Sequence, residues 1–253
     1  MVSIKINVKN LKKSFGKHTV LKDFDLSVKK GESHVILGGS GSGKSVSLKC
    51  IIGLLKPDSG IIEIDGHDTQ KMSAKEFEAI LRKFGMLFQG GALFDSLPVW
   101  ENISFSLINN QGMGKRQAID LAVEKLASVG LGEDVAYKYP AELSGGMKKR
   151  VSLARAIAPN PEILFFDEPT AGLDPIMCTT IDSLITKCSK ELGATTVTIT
   201  HDIASLRRIA DTVSMLYKGE VIWTGSLKEM DKSKNAYLQQ FIHGSTDGPI
   251  KAS

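Results

Sequence analysis

The chain has 253 residues, 42% of them hydrophobic and 24% charged, with a formal net charge of +4. That is enough to bury one α/β domain with a small insertion or two modest domains, and the balance excludes disordered, collagenous and disulfide-scaffold classes. No apolar run approaches the roughly 18–20 residues that span a bilayer, and Met1 to Leu11 alternates Lys and Asn with apolar residues where a signal peptide would build an apolar core, so a cytosolic chain is expected. Three cysteines, Cys50, Cys178 and Cys188, lack metal-ligand spacing and are read as reduced and structural. The basic residues are scattered; the densest cluster, Lys148-Lys149-Arg150, reads as a solvated helix face, and no nucleic-acid partner is expected.

Residues 2 to 36 alternate apolar and polar positions in short runs broken by turn signals at Phe15-Gly16-Lys17 and Lys30-Gly31, which predicts a β-rich opening. Ser33 to Leu37 reads as a buried strand and Ser45 to Leu55 as a helix, with a glycine loop between them. Pro57 to Gly60 reads as a turn and Ile61 to Asp65 as a strand. Beyond residue 70 the spacing predicts helices over Ala74–Arg82, Lys115–Val129 and Gly145–Ala158, with a strand entering a loop over Phe84–Leu97. A strand over Ile163–Phe166, a Gly-rich turn at 171–175, a helix over Met177–Leu192 and a β-branched strand over Ala194–Thr200 follow. Strands alternating with helices imply an α/β fold with a mainly parallel sheet that takes ligands at the carboxyl ends of its strands, and the helical stretch from about 90 to 160 reads as an insertion.

Gly38-Gly39-Ser40-Gly41-Ser42-Gly43-Lys44-Ser45 fits the phosphate loop, Gly-x4-Gly-Lys-[Ser/Thr]. Glycines let backbone N–H groups wrap a polyphosphate, the next helix aims its positive end at the same charge, Lys44 is expected to reach the β and γ phosphates, and Ser45 to hold Mg2+. Asp167 and Glu168 close an apolar strand; the first is placed to hold Mg2+ through water and the second to polarise an attacking water. Alone, that pair could equally cap the next turn. Leu143-Ser144-Gly145-Gly146-Met147 has Ser144 at an N-cap and two glycines opening an amphipathic helix, which alone is also a plain helix start.

Together with Gln89, Asp174 and His201, the order of these motifs resembles the ATP-binding cassette (ABC) family along nearly the whole chain. The resemblance implies a P-loop NTPase of ABC ATPase type over residues 1–230, with a mainly parallel core sheet, an antiparallel β subdomain and the helical subdomain inserted, followed by a tail over 231–253. It implies ATP and Mg2+ as cofactors and head-to-tail pairing with a second copy, in which Ser144, Gly145 and Gly146 contact the γ-phosphate held by the other copy's phosphate loop. Phe15 matches the aromatic that stacks on adenine, where Tyr is more usual. Gln89 matches the residue linking metal and water to the membrane partner, Asp174 the loop crossing the dimer interface, and His201 the switch histidine. Lys44, Gln89, Glu168 and His201 are thus the expected catalytic set, and Ser45, Gln89 and Asp167 the metal set.

Met147 stands where Gln is usual, followed by Lys148-Lys149 where Gln-Arg is common. That departure, the stretch Gly85 to Leu97 around Gln89, and the tail segment Gln240 to Gly244 with Asp247-Gly248-Pro249 resemble the MlaF-like subgroup. Its members are ATPases of lipid transporters that work with an integral membrane permease and a substrate-binding protein of the mammalian-cell-entry (MCE) type. The implied function is that of a subunit seated on the cytoplasmic face of the inner membrane that energises phospholipid transport between inner and outer membranes; the alternatives are ribonucleotide transport and a soluble cassette ATPase of DNA repair or translation. Tyr237, Leu238, Phe241 and Ile242 give the tail an apolar face that is either frayed or docked on the neighbouring copy.

Overall fold

The computed structural model describes residues 3–251; Met1, Val2, Ala252 and Ser253, the outermost parts of the predicted N-terminal strand and tail, lie outside the described residues. In chain order the elements are β1 (Ile4–Phe15), β2 (His18–Lys29), β3 (Ser33–Leu37), α1 (Lys44–Ile51), β4 (Ser59–Ile64), β5 (His67–Asp68), α2 (Ala74–Leu81), β6 (Phe84–Leu87), α3 (Val99–Gln111) and α4 (Lys115–Ser128). They continue with α5 (Gly145–Ile157), β7 (Ile163–Asp167), α6 (Pro175–Leu192), β8 (Thr195–Thr200), α7 (Ile203–Ile209), β9 (Thr212–Tyr217), β10 (Glu220–Ser226), α8 (Leu227–Lys232) and α9 (Ala236–His243). The chain divides into two compact units, Met1–Met72 with Thr198–Ser253, and Ser73–Val197.

The first unit carries strands in the order β5-β4-β1-β2-β10-β9-β3. β1 pairs antiparallel with β2 and β4, and β4 with β5, giving the antiparallel subdomain; β9 pairs antiparallel with β10 and parallel with β3. Alternation sets the faces: Ile6, Val8, Leu11, Leu21, Phe24, Leu26, Ile62 and Ile64 turn inward and are all buried. Around β3 and β9 a second cluster, Val35, Leu37, Val213, Met215 and Leu206, receives Met230 of α8 and Leu238 of α9. The tail therefore folds on its own unit. Asn235 caps α9, Gly244 ends it in the left-handed region, and the Gln240 amide clamps the segment beyond, donating to the carbonyls of Ser245 (3.2 Å) and Ile250 (2.8 Å) and accepting from Ile250 N (2.7 Å).

In the second unit β6 and β7 run parallel, in register from Phe84 opposite Ile163 to Leu87 opposite Phe166. Parallel pairing brings the carboxyl ends of both strands to one edge, so the segment leading to Gln89 and the Asp167-Glu168 pair emerge side by side. Helices α3 to α6 enclose a core built on Leu87, Ile103, Leu126, Val151, Leu164, Phe166 and Ile181. α5 lies directly on β6: a side chain at Gly85 would stand 2.2 Å from the Ala156 carbonyl.

Several local expectations are corrected. Helix α3 had no counterpart in the periodicity, β4 begins at Ser59 because Ser59 pairs with Lys12, and α1 ends at Ile51, short of Leu55. Lys149, expected on a solvated face, is only 6% exposed. The three cysteines are free, Cys50 and Cys188 buried. Among the described residues no helix is long and apolar enough to cross a membrane.

Candidate functional site

In the first unit, residues 38–43 leave the carboxyl end of β3 and turn into α1. Gly41 (φ 72°) and Gly43 (φ 109°) occupy left-handed backbone, and a side chain at Gly43 would press within 2.9 Å of Leu21 Cδ2, so the loop closes only with glycine there. α1 has no side-chain cap, its N-cap position being Gly43. Ser42 Oγ is buried without a hydrogen-bond partner. Lys44 is 7% exposed and its Nζ curls back to the carbonyls of Gly38 (2.8 Å) and Gly39 (3.0 Å). A glycine-rich turn that leads into a helix N-terminus, with a buried ammonium beside it, is suited to a polyphosphate. Gly43 also lies against Val20 O and Leu21 of β2, the strand entered from the hairpin that carries Phe15. Phe15 is 49% exposed, with Lys13 Nζ over its ring, 5.5 Å from the centre.

In the second unit Asp167 ends β7 and Glu168 follows, both nearly buried at 7% and 8% exposure. Glu168 has φ 46°, a left-handed conformation that costs a non-glycine residue about 1 kcal/mol or more and persists only where the surroundings hold it. Its carbonyl accepts from Ala171 N at 3.1 Å and from Lys149 Nζ at 3.5 Å. The same Lys149 ammonium donates a short bond to the Gln89 carbonyl. The Ser152 hydroxyl shares its one hydrogen between the Lys148 carbonyl (2.8 Å) and the Gly91 carbonyl (3.1 Å), and the Arg155 guanidinium donates to Gly91 O and Ala92 O, both at 2.6 Å. Residues 149, 152 and 155 share one stripe of α5, so this helix grips the Gln89 loop along about two turns of its length. Burial pushes the Lys149 ammonium below its ordinary pKa, against the opposing pull of the Asp167 and Glu168 carboxylates.

α5 begins at Ser144, whose Oγ accepts from Met147 N at 3.3 Å. Ser144 and Gly145 are exposed, whereas Gly146 is buried under Met177, and Met147 packs on the unit's core. Asp174 is the N-cap of α6, accepting from the N–H groups of Ile176 and Met177 at 3.0 Å each. Ile176 beside it is 79% exposed. His201 follows β8 directly and is exposed; Asp202 caps the next helix.

A family model described as "ABC transporter" matches residues 21–171. The chain belongs to the ABC transporter family. It is an ATP-binding subunit of that family and an ATPase. The chain is 41% identical over 252 residues to the probable ribonucleotide transport ATP-binding protein mkl of Mycobacterium tuberculosis, covering all of this chain and 70% of that one. It is 37% identical over 246 residues to the intermembrane phospholipid transport system ATP-binding protein MlaF of Haemophilus influenzae, covering 97% and 93%. Among solved structures, the ATP-binding cassette MJ0796 in a dimeric post-hydrolysis state bound to ADP and Pi is 36% identical with a TM-score of 0.80, over 88% of this chain and 98% of that one.

Within this cassette, the phosphate loop, the hairpin of Phe15 and His201 belong to the first unit, and Gln89, Ser144, Asp167, Glu168 and Asp174 to the second. Sequence reasoning missed Lys149, Ser152 and Arg155. Their spacing was the available signal: α5 is buried on nearly every side, and a basic residue in such a helix needs partners.

Proposed function

We propose that this ATPase energises a separate membrane permease that moves phospholipid, working on the cytoplasmic face of an inner membrane with an MCE-type substrate-binding protein beyond the permease. The observation that carries the lipid reading is the match to MlaF, a phospholipid transport ATP-binding protein by name, over 97% of this chain and 93% of that one. The name of the mycobacterial relatives favours a second reading, ribonucleotide transport.

ATP would lie in the glycine-rich turn of residues 38–45, its adenine on Phe15 and its phosphates on Lys44 and the N–H groups of α1. We read Ser45, Gln89 and Asp167 as the residues that would hold Mg2+, each offering a hard oxygen of the kind the ion takes together with substrate phosphates. Bound Mg2+ would neutralise charge developing on the phosphates. Glu168 takes the proton of the attacking water, and His201 and Gln89 orient that water and the γ-phosphate. The exposed start of α5 at Ser144 and Gly145 and the exposed Ile176 support a head-to-tail dimer in which Ser144, Gly145 and Gly146 contact the other copy's nucleotide and Asp174 crosses between copies.

Two measurements test this reading. In the complex purified with its permease, Glu168→Gln is expected to lower kcat by roughly 10^2 to 10^4 while ATP still binds; retained turnover would remove Glu168 from its role. Between vesicles, that complex is expected to transfer phospholipid in an ATP-dependent way, and ribonucleotide uptake without lipid transfer would select the second reading.

A further inference from the structure

We propose that Lys149 is a positioning residue for hydrolysis, tying the backbone that carries Gln89 to the backbone that carries Glu168 through one buried ammonium. The inference rests on the reading of Gln89 and Glu168 given above. Neither segment has a regular ladder to fix it: Gly91 and Ala92 lie at φ 78° and 48°, Glu168 at 46°. What both have is a carbonyl bonded to Lys149 Nζ.

A filler role does not account for this residue. A methionine would occupy the same volume without carrying a charge into a site that is 6% exposed, and burying a lysine is unfavourable unless its donors are used. Here they are used on main-chain oxygens, those of Gln89 and Glu168. Ser152 and Arg155 fasten the rest of the loop to the same stripe of α5. A displacement of the Gln89 loop is therefore passed to the Glu168 backbone and, five residues back along α5, to Ser144.

The test is steady-state ATP hydrolysis by the full chain with its permease, comparing Lys149→Met, Lys149→Arg and Glu168→Gln. Lys149→Met keeps the length and removes the donors; kcat is expected to fall about tenfold or more, since a small misplacement of reacting groups is costly. KM for ATP is expected to stay within about twofold, because the phosphate loop is untouched. Lys149→Arg, which retains donors, is expected to recover most of kcat. Wild-type kcat in Lys149→Met would overturn the proposal, as would a loss shared by kcat and KM that arginine does not rescue. If the methionine variant does not fold, Lys149→Gln, a shorter neutral donor, is expected to show the same split at smaller size, and wild-type kcat there overturns the proposal. An active Glu168→Gln would instead sink the underlying reading of the site; an inactive one beside a normal Lys149→Met sinks the role of the lysine alone.

Discussion

Single side chains in this cassette do work that their residue type does not announce. Lys149 is one; Glu32, at the entry to β3, is another. Burial alone would raise the Glu32 carboxyl, but the His34 ring, the Thr212 side chain and the Lys29 N–H outweigh it and lower the pKa from 4.5 to about 2. The ring stands 3.8 Å away, which is an ion-pair distance and too long for a hydrogen bond; Lys29 N donates at 2.7 Å. With the folded value below the unfolded one, the carboxylate's contribution is complete above pH 4.5 and is lost as the pH falls from there toward 2. Because the ring is too distant to hydrogen-bond the carboxylate, that contribution is discounted to about 1–2 kcal/mol. Urea unfolding at pH 7 and at pH 3 is expected to show a smaller acid loss in Glu32→Gln than in the parent; equal losses would place the acid sensitivity elsewhere.

At the scale of elements, what was legible depended on how cleanly the pattern of burial matched the pattern of polarity. β3 was foreseen to the residue because Val35, Ile36 and Leu37 form an unbroken apolar run between turn signals. α3 was not, because its core-facing positions include Asn102 and Ser104, both fully buried. The Asn102 amide bonds Phe94 N (2.7 Å), Phe94 O (3.0 Å) and Leu97 O (2.9 Å), so a polar residue serves as core by stapling the loop before the helix. No count of apolar residues finds such a position. The motifs that handle phosphate were legible since each is short and contiguous, whereas the grip of α5 on the Gln89 loop joins residues 60 and more apart in the chain. The tail's apolar face was legible too, but sequence alone could not say which surface it meets. Leu238 is fully buried in the first unit's core, so Leu238→Ala is expected to cost about 2–5 kcal/mol. A thermal midpoint unchanged from the parent would mean that α9 contributes nothing to the fold of that unit.

For the molecule as a whole, the exposed start of α5 and the bare side chain of Ile176 argue that the working unit is larger than one chain. A charge placed at Ile176 would be desolvated in the closed pair. Ile176→Asp in the Glu168→Gln background is expected to weaken ATP-dependent dimerisation by about 2 kcal/mol, roughly 30-fold, with nucleotide affinity of the single chain unchanged. Light scattering after size exclusion reads this directly, and an undiminished dimer would take Ile176 out of the interface. Glu168 sets a further condition on the protein's history. Its left-handed backbone is one that glycine adopts freely, so exchanging the glutamate for glycine relieves strain while deleting the proposed base. The inactive form is then the more relaxed one, and random drift toward a sturdier fold runs against turnover at this position.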